Sequence, residues 1–240
     1  MTLAWVAGAC IVLAASFVMG LAGFGIGLVG LAFLPFVMPP ATAVVLLTVY
    51  ALAVAIAIFV PLRRAFEPRG MLDLIVGTVV GTPFGVWVLA TVPASVLNRL
   101  IGLVLVLVVL LEWRGLYPRT LAGRGWGLGA GLLAGLIGGA VGTPGPPVIL
   151  YATTQGWSPR TMKANLQAFF AVNQAVILVG YWWAGLLTGE VWRLAAEFAA
   201  PAGLGLVAGV ALFNRVDQAG FRRTVFGLLL VSGIVLIVRG

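Results

Sequence analysis

Apolar residues run almost unbroken through this chain, in stretches too long and too numerous for the core of a water-soluble domain. They occupy residues 1–38, 39–62, 70–92, 95–113, 126–154, 164–188, 191–213 and 221–239. A helix rising about 1.5 Å per residue needs roughly 20 apolar residues to cross about 30 Å of hydrocarbon. The 240 residues therefore hold eight such segments and leave no length for a separate soluble domain. In lipid every backbone amide must find a partner within the protein, which a helix achieves inside one segment. The expected fold class is all-α, a polytopic membrane helix bundle. Charged residues make up 8% of the chain, against about 25% in soluble domains, and the opening stretch reads as part of the bundle rather than as a cleaved leader.

The chemical inventory is narrow. Histidine is absent and Cys10 is the sole cysteine, which excludes intrachain disulfides, Cys/His zinc sites, Ser-His or Cys-His catalysis and histidine proton relays. No enzyme, metal or cofactor is expected. The formal charge of +8 comes from 14 basic residues, 13 of them Arg, spread through short connections. That spread marks membrane topology and not a nucleic-acid face.

The chain also repeats itself. Gly20-Leu21-Ala22-Gly23-Phe24-Gly25-Ile26-Gly27 lies on Gly135-Leu136-Ile137-Gly138-Gly139-Ala140-Val141-Gly142, and each stretch opens its half. A proline-marked segment follows in both halves, at Pro39-Pro40 and at Ser158-Pro159. The halves are residues 1–113 and 126–240, joined by a cytoplasmic linker at 114–125. If all eight stretches cross once, Lys and Arg divide 8 against 6 between the two sides. If each glycine-rich stretch returns to the side it entered, the division becomes 11 against 3. Cytoplasmic loops carry the basic excess, so the second arrangement is expected: two inverted repeats, each a broken or re-entrant helical hairpin followed by three transmembrane helices.

Residues 126–158 drawn as one straight helix would extend about 50 Å, longer than the hydrocarbon is thick. Gly142-Thr143-Pro144-Gly145-Pro146-Pro147 supplies the break, because proline lacks an amide donor and clashes with the preceding turn, leaving arms of about 14 residues. Irregular backbone at membrane depth is tolerated where it lines a cavity. Two half-helices meeting head to head present free N–H groups and about half a positive charge each, a seat for an anion.

Polar side chains within the apolar spans are few. Thr143, Gln155, Asn165, Gln167, Asn173 and Gln174 cluster in the second half, and Gln167 and Asn173 are the pore-lining candidates, set against a role as interhelical glue at about 1 kcal/mol each. Thr48 and Tyr50 are the weaker first-half counterparts. Glu197 sits inside its span, where a carboxylate is a coupling-site candidate, and is expected instead to snorkel or to pair with Arg193 one turn earlier. The eight tryptophans, including Trp182 and Trp183 beside Tyr181, fit interfacial aromatic belts rather than a substrate cage.

The two glycine-rich stretches, GLAGFGIG and GLIGGAVGTPGPP, the proline-marked returns and eight apolar segments in about 240 residues resemble the sulfite exporter TauE/SafE family across essentially the whole chain. The resemblance implies a permease of the bacterial cytoplasmic (inner) membrane for small sulfur-containing anions such as sulfite or organosulfonates. It makes Gly138, Gly139, Gly142 and Thr143 binding-region candidates, with Gly23, Gly25 and Gly27 in the matching first-half stretch. The expected partners are a small inorganic or organosulfur anion and the lipid bilayer; a homo-oligomer is allowed and nucleic acid is not expected. The expected function is anion export by alternating access. An anion channel and a non-transporting membrane scaffold subunit are the alternatives.

Overall fold

The computed structural model describes residues 3–22, 25–115, 123–212 and 218–240, and among them every regular element is helical. Gly23 and residues 116–122 of the expected linker lie outside the described residues. In the first half, α1 (Leu3–Ala22) and α2 (Ile26–Phe33) precede α3 (Pro40–Leu62), α4 (Met71–Thr91) and α5 (Ala94–Arg114). In the second, α6 (Arg124–Val141) and α7 (Gly145–Ala152) precede α8 (Pro159–Trp183), α9 (Gly189–Glu197), α10 (Ala199–Leu212) and α11 (Gln218–Arg239). Five helices (α1, α3, α4, α5 and α8) are long and apolar enough to cross a membrane, and the bent pair α9–α10 makes a sixth if taken as one span.

Local sequence explains the boundaries. Pro159 enters α8 at its first turn, and the Ser158 hydroxyl accepts from the Thr161 N–H at 3.1 Å, an N-cap that meets one orphan donor. Thr188 caps α9 in the same way, through the Val191 N–H at 3.3 Å. The stretch expected as one crossing over 191–213 is instead bent by 49° between α9 and α10. Pro201 accounts for the bend: it cannot donate to the carbonyl of Glu197, and its ring crowds that carbonyl.

Both glycine-rich stretches are broken. The arms are unequal, 20 and 8 residues in α1–α2 and 18 and 8 in α6–α7, where arms of about 14 were expected for the second hairpin. The chain resists continuing at these points because Gly25 (φ +104°) and Gly142 (φ +66°) hold left-handed backbone, which costs a side-chain-bearing residue about 1–2 kcal/mol. Each hairpin comes back to its own start. In the first, Met38 Cε lies 3.7 Å from where a Gly8 Cβ would be; in the second, the Tyr151 hydroxyl lies 3.3 Å from the corresponding point at Gly127.

The described chain divides into two compact units that do not follow the sequence halves. One comprises residues 1–47, 92–115 and 188–240, the other 48–91 and 116–187, so α3 is shared between them and each unit draws on both halves. In the first unit α1 runs parallel to α10, with Gly205 against the Leu13 carbonyl and Gly209 against that of Phe17. There α5 and α11 run antiparallel about Gly102 and Gly233, a Cβ on either of which would meet the other's carbonyl oxygen at 2.5 and 3.0 Å. Glu197 pairs with Arg193 at 3.6 Å as expected, and also accepts from Trp5 Nε1 at 2.6 Å.

In the second unit α4 and α6 run parallel and interlock through glycines of both helices, Gly131 on the Leu74 carbonyl and Gly135 on that of Thr78. Small residues let backbones approach closely enough to recover in dispersion what lipid withholds in hydrophobic drive. Around this pair α7 and α8 close a core that includes Leu74, Ala134, Val148, Tyr151, Phe169 and Phe170.

Candidate functional site

The break between α6 and α7 is the most unusual feature of the second unit. Gly142 closes α6, its N–H donating to the Gly138 carbonyl at 2.8 Å. The chain then passes through Thr143 and Pro144 and re-enters a helix at Gly145. A helix start ordinarily offers several unpaired amides, yet from 144 to 147 only Gly145 carries an N–H, the other three being proline. The second hairpin therefore supplies fewer peptide donors than a glycine-rich break suggests. By contrast Ile26, Gly27 and Leu28, the first turn of α2 in the other unit, keep all three.

Side chains take up the role at the second break. Thr143 is 5% exposed and its hydroxyl has no partner among the described residues. Asn173, on α8, is fully buried. Its Nδ2 donates to the Thr78 hydroxyl oxygen on α4, while its Oδ1 is unpartnered and lies 3.5 Å from the point a Gly138 Cβ would occupy. The Pro144 ring comes within 3.0 Å of that same point and Ile177 within 2.9 Å, so a side chain at Gly138 would run into both and press on Asn173 Oδ1. On the far side of Gly145, the rim of the Phe170 ring lies 3.9 Å from the position of a Cβ there. An unpaired polar atom out of reach of water costs about 1–3 kcal/mol, and two of them, Thr143 Oγ1 and Asn173 Oδ1, belong to residues at or beside this break.

Of the residues expected at the site, Gly138, Gly142 and Asn173 come together here, and Thr143 follows Gly142 in the break. Gly139 turns to α4 instead, where a Cβ would lie 3.0 Å from the Thr82 oxygen and from the Val86 nitrogen. Gln167 is buried two turns earlier, on a different side of α8 from Asn173. Gly25 and Gly27 belong to α2 and the other unit, where Gly25 caps the helix and Gly27 is buried within it. Gly23 lies outside the described residues.

Tyr181 differs from the two tryptophans beside it. Trp182 and Trp183 are 66% and 79% exposed, but Tyr181 is fully buried, and its hydroxyl donates to the Gly139 carbonyl at 2.8 Å and is hydrogen-bonded by Thr48. It ties the last turn of α6 to α3 and α8. Its spacing of eight from Asn173, two helical turns, was the available signal, masked by two tryptophans beside it. Thr78 and Thr82 were also missed. Thr82 donates to the Thr78 carbonyl at 2.7 Å, next to Pro83, and the glycines at 77, 81 and 85 mark α4 as a contact helix.

A polar cleft of about 410 Å³ opens at the return end of the hairpin, lined by Glu67, Arg69, Gln155, Trp157, Ser158 and Thr161 among others. One turn below Thr161 on α8, Asn165 accepts from the Glu67 N–H at 2.9 Å and leaves its Nδ2 unpartnered. One turn further, Phe169 and Phe170 pack edge to face at 5.9 Å, and the next turn carries Asn173. The α8 face thus alternates polar cleft, aromatic block and polar break.

The family model for the sulfite exporter TauE/SafE matches residues 8–236. No curated protein and no solved structure matches the chain.

Proposed function

The chain belongs to the sulfite exporter TauE/SafE family, a family of membrane permeases, and from that premise we propose that it exports sulfite or related organosulfonates across the bacterial cytoplasmic membrane. The observation that carries the reading is the pair of buried, unpartnered oxygens, Thr143 Oγ1 and Asn173 Oδ1, beside the broken hairpin. In this reading Thr143, the Gly145 amide and the positive end of α7 hold the anion, Gly138 leaves the space for it, and Gly142 shapes the turn.

The inverted-repeat arrangement is part of the proposal. Two observations support it: the antiparallel course of α5 and α11, the last helix of each half, and the parallel packing of each hairpin's long arm on a late helix of the opposite half. Alternating access then moves one repeat against the other around the site. A monovalent anion leaving a negative-inside cell gains about 2.3 kcal/mol per 100 mV, enough to drive export without a coupling ion.

The test is flux of radiolabelled sulfite from proteoliposomes. Thr143→Val and Gly142→Leu are expected to lower the rate at least tenfold in protein that remains monodisperse. Sulfite flux unchanged in both variants removes this site from the mechanism.

A further inference from the structure

We infer that the cradle at the second hairpin break takes its anion in a protonated, monovalent form, an oxyanion that brings its own O–H, in preference to the fully deprotonated dianion. For sulfite this is hydrogen sulfite. The inference rests on the transport reading above, adds which ionic form enters, and narrows that reading to sulfite over the organosulfonates, whose sulfonate head carries no O–H.

The first argument is the polarity of the unpaired atoms. Thr78 holds the Asn173 amide by its Nδ2, which turns Oδ1 toward Gly138 and the Pro144 ring. A carbonyl oxygen only accepts. A fully deprotonated oxyanion also only accepts, so the two oppose lone pair to lone pair. An anion with one O–H donates to Asn173 Oδ1 and still accepts from the Thr143 hydroxyl and the Gly145 amide. Both orphan side-chain atoms are then satisfied by one guest.

The second argument is charge. Thr78, Gly138, Thr143, Pro144, Asn173 and Ile177 include no ionised group. The helix end contributes about half a positive charge, and prolines at 144, 146 and 147 have deleted amides that could have added to it. The cost of taking an ion from water rises with the square of its charge, so a dianion costs about four times as much as a monoanion in the same setting. A neutral cradle with few donors compensates one charge far better than two.

The experiment is efflux of radiolabelled sulfite from proteoliposomes containing the full chain. The pH is equal on both sides, total sulfite is fixed, protein-free vesicles are subtracted, and pH is stepped across the second ionisation of sulfite. The rate is expected to fall about tenfold per pH unit above that ionisation, following the monoanion. Thr78→Val, which frees the Asn173 amide to turn its Nδ2 inward, is expected to flatten the profile. Methanesulfonate, a monoanion without an O–H throughout the range, is expected to compete at least tenfold more weakly, with no pH dependence. A rate that is level in pH, or that follows the dianion, overturns the inference and leaves sulfite transport standing. Methanesulfonate inhibition that falls with the same profile assigns the titration to the protein and also overturns it. Flux no greater than from empty vesicles at every pH overturns both readings.

Discussion

Asn173 on α8 donates through its side-chain Nδ2 to the Thr78 hydroxyl oxygen on α4, and both residues are fully buried. This bond joins the helix that flanks the hairpin break to the helix on which the hairpin's long arm is packed, and it decides which end of the amide the break receives. Thr78→Val leaves Nδ2 without its acceptor. A loss of about 1–3 kcal/mol is expected, read as a lower unfolding temperature of the purified protein, with Thr78→Ser restoring most of it.

Gly142 holds φ +66° while its N–H closes α6 on Gly138. Alanine there meets the left-handed penalty of about 1–2 kcal/mol, whereas asparagine, which tolerates that region, is expected to cost less. Thermal unfolding of Gly142→Ala and Gly142→Asn side by side checks the order, and equal stability of all three proteins rejects it.

Gly135 faces the backbone of α4, where a Cβ would run into the Thr78 carbonyl and lie 2.8 Å from the Thr82 nitrogen; around Gly129, on the same helix, nothing lies within 4 Å. Gly135→Leu is therefore expected to separate α4 from α6 and abolish recovery of monodisperse protein. Gly129→Leu is expected to behave as the parent does in size-exclusion chromatography.

Tyr181→Phe removes one O–H and leaves the rest of the ring in place. The loss of its bond to the Gly139 carbonyl at 2.8 Å is expected to cost about 1–3 kcal/mol. Trp182→Phe, at a residue 66% exposed, is expected to change the unfolding temperature by far less. The two variants together separate the buried tyrosine from the exposed tryptophans beside it.

Met38 and Ser158 follow the two hairpins and, in the inverted reading, lie on opposite faces of the membrane. With the exposed Cys10 replaced by serine, Met38→Cys and Ser158→Cys are expected to react with an impermeant maleimide from opposite sides of right-side-out vesicles. Labelling of both from one side rejects the inversion.

The hairpin breaks were readable from residues alone because proline and left-handed glycine act on the local backbone. Gly142, Thr143 and the three neighbouring prolines declare a break wherever they are placed. The Arg193–Glu197 pair, four residues apart on one helix, was readable for the same reason. Helical periodicity could rank Asn173 as inward, but it could not say that Thr78, 95 residues earlier, would hold its amide. Nor could it distinguish Gly138, which faces Asn173 and Pro144, from Gly139, which packs on α4.

The residue order by itself determined that this chain is helical, that it lives in lipid and where its hairpins break, since burial of backbone polarity and the limits on φ are settled within a few neighbouring residues. Which oxygens were left unpaired, which aromatic turned inward, and how two sequence halves mixed into two compact units were decided only by tertiary packing. Those outcomes depend on helices far apart in sequence coming close enough for a glycine to touch a carbonyl, a distance that no local pattern encodes.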